Sequence, residues 1–165
     1  MELDKAYQEN VNDLYRYLFS LSKDHFIAED LVQEAFYRAY LQLEDYEISN
    51  IRAWLFKVAY HAFIDFQRKN KRLIIQDQIE ERGNLSMETP EKKLLEKESF
   101  QLLLNDIHSL KEQERHVLLL CDLHQLKYNE AAEILNMKVN TLKSHLHRGR
   151  RKVMERVKER MMVDE

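Results

Sequence analysis

From residue 139 to 153 the chain alternates a few apolar positions with side chains suited to hydrogen bonding. Asn140, Thr141, Lys143, Ser144, His147, Arg148 and Arg151 fill the gaps between Val139, Leu142, Leu146 and Val153. Amides, hydroxyls and guanidinium groups reach base edges, and cations reach phosphates. A second set, Trp54, Phe56, Tyr60, Phe63 and Phe66, runs into the basic cluster Arg68-Lys69-Asn70-Lys71-Arg72. Bases of an opened strand stack on aromatic faces while cations follow the phosphates. Most of these aromatics are nevertheless expected to be core, Trp54, Phe63 and Phe66 above all. A third set, Asp30, Gln33 and Glu34, occupies neighbouring turns and shares a helix face. Such an acidic, amide-bearing face suits a basic helical partner; the plain alternative is a solvated surface.

Groups that could do covalent or metal chemistry do not assemble into a recognisable site. His116, Cys121 and His124 lack a fourth ligand, and there is no CxxC. His145 and His147 stand two apart and point different ways on a helix. Neither a Gly-rich phosphate loop nor a GxSxG or HExxH motif occurs, and the carboxylates are scattered. The expectation is a protein without metal, cofactor or catalytic centre.

Composition says what must carry these groups. The chain has 165 residues with Gly 2 and Pro 1, too few for sheets joined by tight turns, so an all-α fold is favoured. Its one cysteine, Cys121, lies in the apolar run Val117-Leu118-Leu119-Leu120-Cys121 and is expected to be a packed thiol in a reducing compartment. The first residues lack the pattern of a signal peptide, and no apolar run approaches a membrane span. Charge is unevenly spread. From Lys138 to Arg160 nine Lys/Arg face two acids, a net +7, so with −3 overall the remainder carries −10. A basic end on an acidic body reads as a nucleic-acid footprint or as a solvated helix face.

The elements follow from apolar periodicity. Leu3, Tyr7, Val11, Leu14, Leu18 and Leu21 mark a first helix. Asp24 caps a second carrying Ile27, Leu31, Ala35, Ala39 and Leu43. A third begins near Ile51, buries Trp54, Leu55, Val58, Ala62 and Phe66, and completes a first domain over 1–72. Residues 73–89 read as a flexible linker. Thr89-Pro90 opens the next helix, with Leu94, Leu95, Leu102, Leu103 and Ile107 following. Ser109-Leu110-Lys111-Glu112 reads as a capping box opening a helix through His124. Tyr128 to Leu135, a turn at Asn136-Met137-Lys138 and a long last helix from about Asn140 complete a second, four-helix domain over 90–165. Its final pair, short helix then long helix with small Ala131 and Ala132 between them, is a helix-turn-helix. The fold class is thus all-α: two small helical domains, a flexible linker, and a helix-turn-helix in the second.

These segments resemble a known family. Tyr128-Asn129-Glu130-Ala131-Ala132-Glu133-Ile134-Leu135, followed by Thr141-Leu142-Lys143-Ser144-His145-Leu146-His147-Arg148-Gly149-Arg150, is similar to the −35-reading region of extracytoplasmic-function (ECF) sigma factors. Ala28 to Phe36 resembles the family's polymerase-binding helix. Ala53 to Ala59, with Ile64-Asp65-Phe66 and the basic cluster, resembles its −10-melting and reading helix. The two halves, about a hundred residues apart in this order, make the resemblance specific. It implies that Asp30, Leu31, Gln33 and Glu34 bind core RNA polymerase at its clamp helices, with Leu31 or Val32 as apolar anchor. It assigns the −10 element to Tyr46, Asn50, Trp54, Tyr60, His61, Asp65, Arg68, Lys69 and Arg72, the loop from Tyr46 to Asn50 holding a flipped base. The −35 element falls to Asn140, Thr141, Lys143, Ser144, His147, Arg148 and Arg151.

The chain departs from the family's usual Asn at His61, Ser at Lys127, and Gly at Asn136 and Asn140. Asn136 can take a left-handed turn, and Asn140 can cap the last helix. The implied function is a sigma factor that directs core polymerase to −35/−10 promoters. Implied partners are core polymerase through clamp helices and flap, promoter DNA, and an anti-sigma factor, often membrane-anchored, with no membrane insertion of the chain itself. The implied location is the bacterial cytoplasm. The competing reading is a stand-alone helix-turn-helix regulator. A protein-interaction module without a DNA role would leave the basic segment unexplained.

Overall fold

The computed structural model describes residues 2–42, 50–73 and 89–163, and every element among them is helical. The chain divides into two units, Met1–Lys93 and Leu94–Glu165. The expected linker at 73–89 lies almost wholly outside the described residues.

In the first unit α1 (Glu2–Ser22), α2 (His25–Gln42) and α3 (Ile51–Leu73) pack against one another. Leu14, Tyr17, Leu18 and Leu21 of α1 meet Leu31, Val32 and Phe36 of α2 and Leu55, Phe56, Val58 and Phe63 of α3 in one core. Ala28, Ala35 and Ala39 are fully buried and let the backbones approach closely. The α1–α2 turn is set by Lys23, which takes a left-handed φ of 58° and donates its amide to the Phe19 carbonyl at 2.7 Å. Asp24 caps α2 as expected, its Oδ1 accepting from the Ile27 amide at 3.0 Å. Asn50 does the same for α3, accepting from the Ala53 amide at 3.1 Å.

The division falls within α4 (Pro90–Glu96), and the second unit continues with α5 (Glu98–His108), α6 (Glu112–Leu118), a π-helical turn (Leu119–Leu123), α7 (Tyr128–Leu135) and α8 (Val139–Val163). Thr89 caps α4 through the Lys92 amide at 3.2 Å. The expected single helix after Pro90 breaks at Lys97, whose backbone is extended at φ −58° and ψ 136°. Gln101 covers the break by donating its side-chain amide to the Leu95 carbonyl at 2.5 Å.

The capping box expected at Ser109 is not there. Ser109 ends α5 instead, donating its hydroxyl to the Asp106 carbonyl at 2.5 Å, and Lys111 is the residue that precedes α6. Nor does that helix run regularly to His124. The His124 amide bonds the Leu119 carbonyl at 3.1 Å, five residues back. Val117 to Cys121 are five consecutive apolar residues, all buried. A regular helix presents such a run all round its circumference, and the widened turn here carries the end of it into the core. Cys121 is indeed a packed thiol, and burial pushes it up to about 11.

Candidate nucleic-acid interface

The turn between α7 and α8 is built from local chemistry. Lys127 precedes α7 where a serine would cap, and its ammonium has no lone pair to offer the helix amides. Half of a capping box survives: Glu130 Oε1 accepts from the Lys127 amide at 2.9 Å. At the other end Asn136 takes the left-handed conformation, φ 53° and ψ 53°. It closes α7 with its own amide on the Glu133 carbonyl and the Met137 amide on the Ala132 carbonyl, at 3.2 and 3.0 Å. The last helix starts at Val139, so Asn140 sits inside its first turn rather than capping it. Its carbonyl accepts the Ser144 hydroxyl at 3.2 Å.

α8 buries Leu142, Leu146 and Gly149 and exposes Asn140, Thr141, Lys143, Ser144, His147, Arg148 and Arg151. All seven expected DNA-reading side chains therefore reach solvent on one helix. Gly149 packs closely on α6: a Cβ there would lie 2.9 Å from Leu118 Cδ1, and the leucine end would have to shift to admit it. The basic end is less available than its sequence charge suggests. Arg150 makes a bidentate pair with Asp122 at 2.9 and 2.6 Å. Lys152 bonds both oxygens of Glu114 at 2.8 and 3.1 Å, and Arg160 meets Asp106 at 2.5 Å. These pairs hold α8 to the π-helical turn, α6 and α5, so three of the nine cations are spent on the fold.

Glu114 was missed by sequence reading. Its side chain is 1% exposed, with Arg148 Nε at 3.6 Å in addition to Lys152. Burial alone would push its carboxyl up, but the hydrogen bond and charge of Lys152 hold it below the usual range. A charged residue three before the buried run Val117–Cys121 falls on the inner face at helical spacing, and that was the available signal.

In the first unit Asp30, Gln33 and Glu34 are exposed along α2 as expected. Leu31 is not available to a partner: it is 5% exposed and belongs to the core, as does Val32. The apolar groups on this surface are instead Tyr37, 61% exposed, and Leu41, 57% exposed, which continue the face of Asp30, Gln33 and Glu34 at helical spacing. Both fall off the buried stripe Ala28-Leu31-Val32-Ala35-Phe36-Ala39, which is how sequence alone could have found them.

The expected −10 set is split. Tyr46 and the side chain of Arg72 lie outside the described residues. Asn50 serves as the cap of α3. His61, Arg68 and Lys69 are exposed, and Trp54, Tyr60 and Phe66 are half-buried, so Trp54 and Phe66 are not fully inside. Phe63 is buried as expected, and Phe56 is buried completely, with the Arg52 guanidinium 4.9 Å from its ring centroid. Asp65 pairs with Arg38 at 3.0 Å and lies 3.9 Å from Arg68; Arg38 also meets Glu34 at 3.0 Å. Asp65 thus joins α2 to α3.

Two family models match the chain: Sigma-70 region 2 over residues 6–73 and Sigma-70, region 4 over residues 100–153. The chain is similar to the ECF RNA polymerase sigma factor SigM of Bacillus subtilis (strain 168), 50% identical over 72 residues, which span 44% of each protein. It is also similar to the ECF RNA polymerase sigma factor SigW of the same organism, 30% identical over 94% of this chain and 84% of SigW. Among solved structures it shares its fold with the sigma factor RpoE of Bartonella quintana, crystallised with the anti-sigma factor NepR. The TM-score is 0.76 at 24% identity, covering 95% of this chain and 97% of that one.

Proposed function

This chain belongs to the sigma-70 family, in its ECF group, and from that membership we propose that it binds core RNA polymerase and directs it to promoters bearing particular −35 and −10 elements. The observation that carries the reading is the outer face of α8, where seven base- and phosphate-reaching side chains stand together on the second helix of a helix-turn-helix. That helix enters the −35 major groove, where Arg148 and Lys143 are suited to guanine edges and Arg151 to phosphate. In the first unit Asp30, Gln33 and Glu34, with Tyr37 and Leu41 as apolar anchors, meet the basic, helical clamp of the polymerase. The exposed side of α3, with Tyr60, His61, Arg68 and Lys69, takes the opened −10 strand, and His61 in place of the usual Asn alters which base is preferred. The protein supplies binding free energy and the polymerase supplies the chemistry. It acts in the bacterial cytoplasm, and an anti-sigma factor restrains it, by similarity to the relative crystallised with one. Among the described residues no helix is long and apolar enough to cross a membrane.

The test is run-off transcription with bacterial core polymerase on a pool of promoter fragments. Initiation at a subset sharing a −35/−10 pair is expected. If core gains no initiation while the protein alone shifts duplex DNA, the stand-alone regulator replaces this reading. Arg148→Ala or Lys143→Ala is expected to weaken promoter binding by about 1–3 kcal/mol where the side chain reads a base. Unchanged promoter-dependent initiation in both variants would remove α8 from the −35 groove.

The α2 surface is tested separately. Tyr37→Ala is expected to weaken core affinity by about 1–2 kcal/mol at unchanged melting. Leu31→Ala instead lowers stability by about 2–4 kcal/mol, as loss of a core leucine should. Equal affinity losses at equal stability would contradict the burial of Leu31.

A further inference from the structure

Arg148 does not stand alone on α8. Its Nε lies 3.6 Å from Glu114 Oε2, and its Nη2 lies 3.0 Å from His145 Nδ1. Glu114 comes from α6, beneath the recognition helix, and is buried and anchored by the two Lys152 contacts. His145 accepts from the guanidinium only in its neutral form with the proton on Nε2. Burial first, and the Arg148 charge second, hold its pKa below the ordinary value, with Glu114 opposing and Lys111 adding to the shift. Nη2 is thus hydrogen-bonded to His145 while Nε stands within ion-pair range of Glu114, and the remaining N–H groups of the fork are left for an outside acceptor.

We propose that Glu114 is a positioning residue for −35 recognition, orienting Arg148 from behind so that its free N–H groups face a base edge before DNA arrives. A long side chain left loose on a helix surface must be ordered on binding, and that ordering detracts from affinity and from discrimination between bases. A buried carboxylate on a different helix removes part of that freedom in advance. Lys152 neutralises the same carboxylate, so the restraint does not present an uncompensated negative charge to a phosphate backbone. The proposal rests on the −35 reading of α8 given above, and the experiment separates the two.

The full chain with core polymerase is measured on a promoter fragment and on a series with single base changes in the −35 element, for wild type, Glu114→Gln, Arg148→Ala and the double variant. Glu114→Gln keeps the shape and removes the charge. It is expected to weaken binding to the preferred −35 sequence roughly five- to ten-fold and to flatten discrimination at the base that Arg148→Ala also relaxes. In the Arg148→Ala background the same change should have about two-fold effect or less, because the two act as one unit. Thermal melting of each variant isolates any general loss of stability.

Equal effects of Glu114→Gln with and without Arg148 would overturn the proposal and make the cluster a structural one. Uniformly tighter binding of Glu114→Gln to all fragments would overturn it too, by showing Glu114 to be only a repulsive charge. If Arg148→Ala itself leaves affinity and base profile untouched, the −35 reading of α8 fails first.

Discussion

Replacing Leu142 by alanine is expected to destabilise the second unit by about 2–5 kcal/mol. Leu142 is fully buried on the inner face of α8, the helix that packs on α5, α6 and α7. Truncation removes apolar contact and leaves a cavity that three surrounding helices cannot all close. A unit of this size has a total stability of only about 4–10 kcal/mol, so a large part of it would go. The effect can be assigned to one unit because the chain's single tryptophan, Trp54, lies in the first unit. Far-UV circular dichroism follows both units and tryptophan fluorescence only the first. The expected result is a circular-dichroism transition moved to lower denaturant while the fluorescence transition stays put. If both move together, the units unfold as one. If neither moves, α8 is not held through Leu142. Promoter binding should fall with the folded fraction of the second unit, in contrast to Arg148→Ala, which alters binding and leaves melting unchanged.

The second large effect is acid sensitivity of the same unit. His116 is buried in α6, and burial, with smaller contributions from the Arg115 and His108 charges, pushes its pKa down to about 4. Glu112 lies 3.9 Å from its Nε2 but is itself mostly exposed, and does not offset the burial. Above about pH 6.5 the imidazole is neutral in both folded and unfolded chains and contributes no pH dependence. Between about 6.5 and 4 the unfolded chain takes a proton that the folded chain resists, so stability falls with pH. The full loss is about 3 kcal/mol, present once the pH is below about 4. Denaturant midpoints read by circular dichroism should therefore decline across this window, and His116→Gln should flatten the decline. Glu114 adds a separate loss at lower pH. Its carboxyl titrates below the usual range when folded, so its contribution is present above about pH 4.5 and disappears only below it. A decline that survives His116→Gln unchanged would place the responsible group elsewhere.

Much of this architecture was legible before any coordinates, because helices encode their faces locally. Spacing of three and four residues told which side of α8 is buried, and the seven polar groups between those positions reach solvent as that periodicity requires. Caps at Asp24 and Thr89 and the left-handed Asn136 are decided within a few residues of themselves, and they stand where the residue types placed them. The order of the two family segments was likewise a property of the chain alone.

What tertiary structure decided is mostly where each charge and each competing apolar residue goes. Leu31 and Leu41 are alike as letters, yet one is core and the other open, because only the packing of α2 on α1 and α3 selects the stripe. Ser109 and Glu112 have the spacing of a capping box, but the Ser109 hydroxyl bonds back to the Asp106 carbonyl and closes α5, and α6 begins after Lys111. The nine cations of the basic end read as a nucleic-acid footprint or as a solvated helix face. Arg150, Lys152 and Arg160 instead meet acids 28, 38 and 54 positions away. No local period can show such pairing, since it depends on which helices the apolar faces bring together. The same long-range packing buried Glu114 beneath Arg148. The sequence alone therefore determined which residues α8 presents, and the tertiary fold determined which of them are held, and by what.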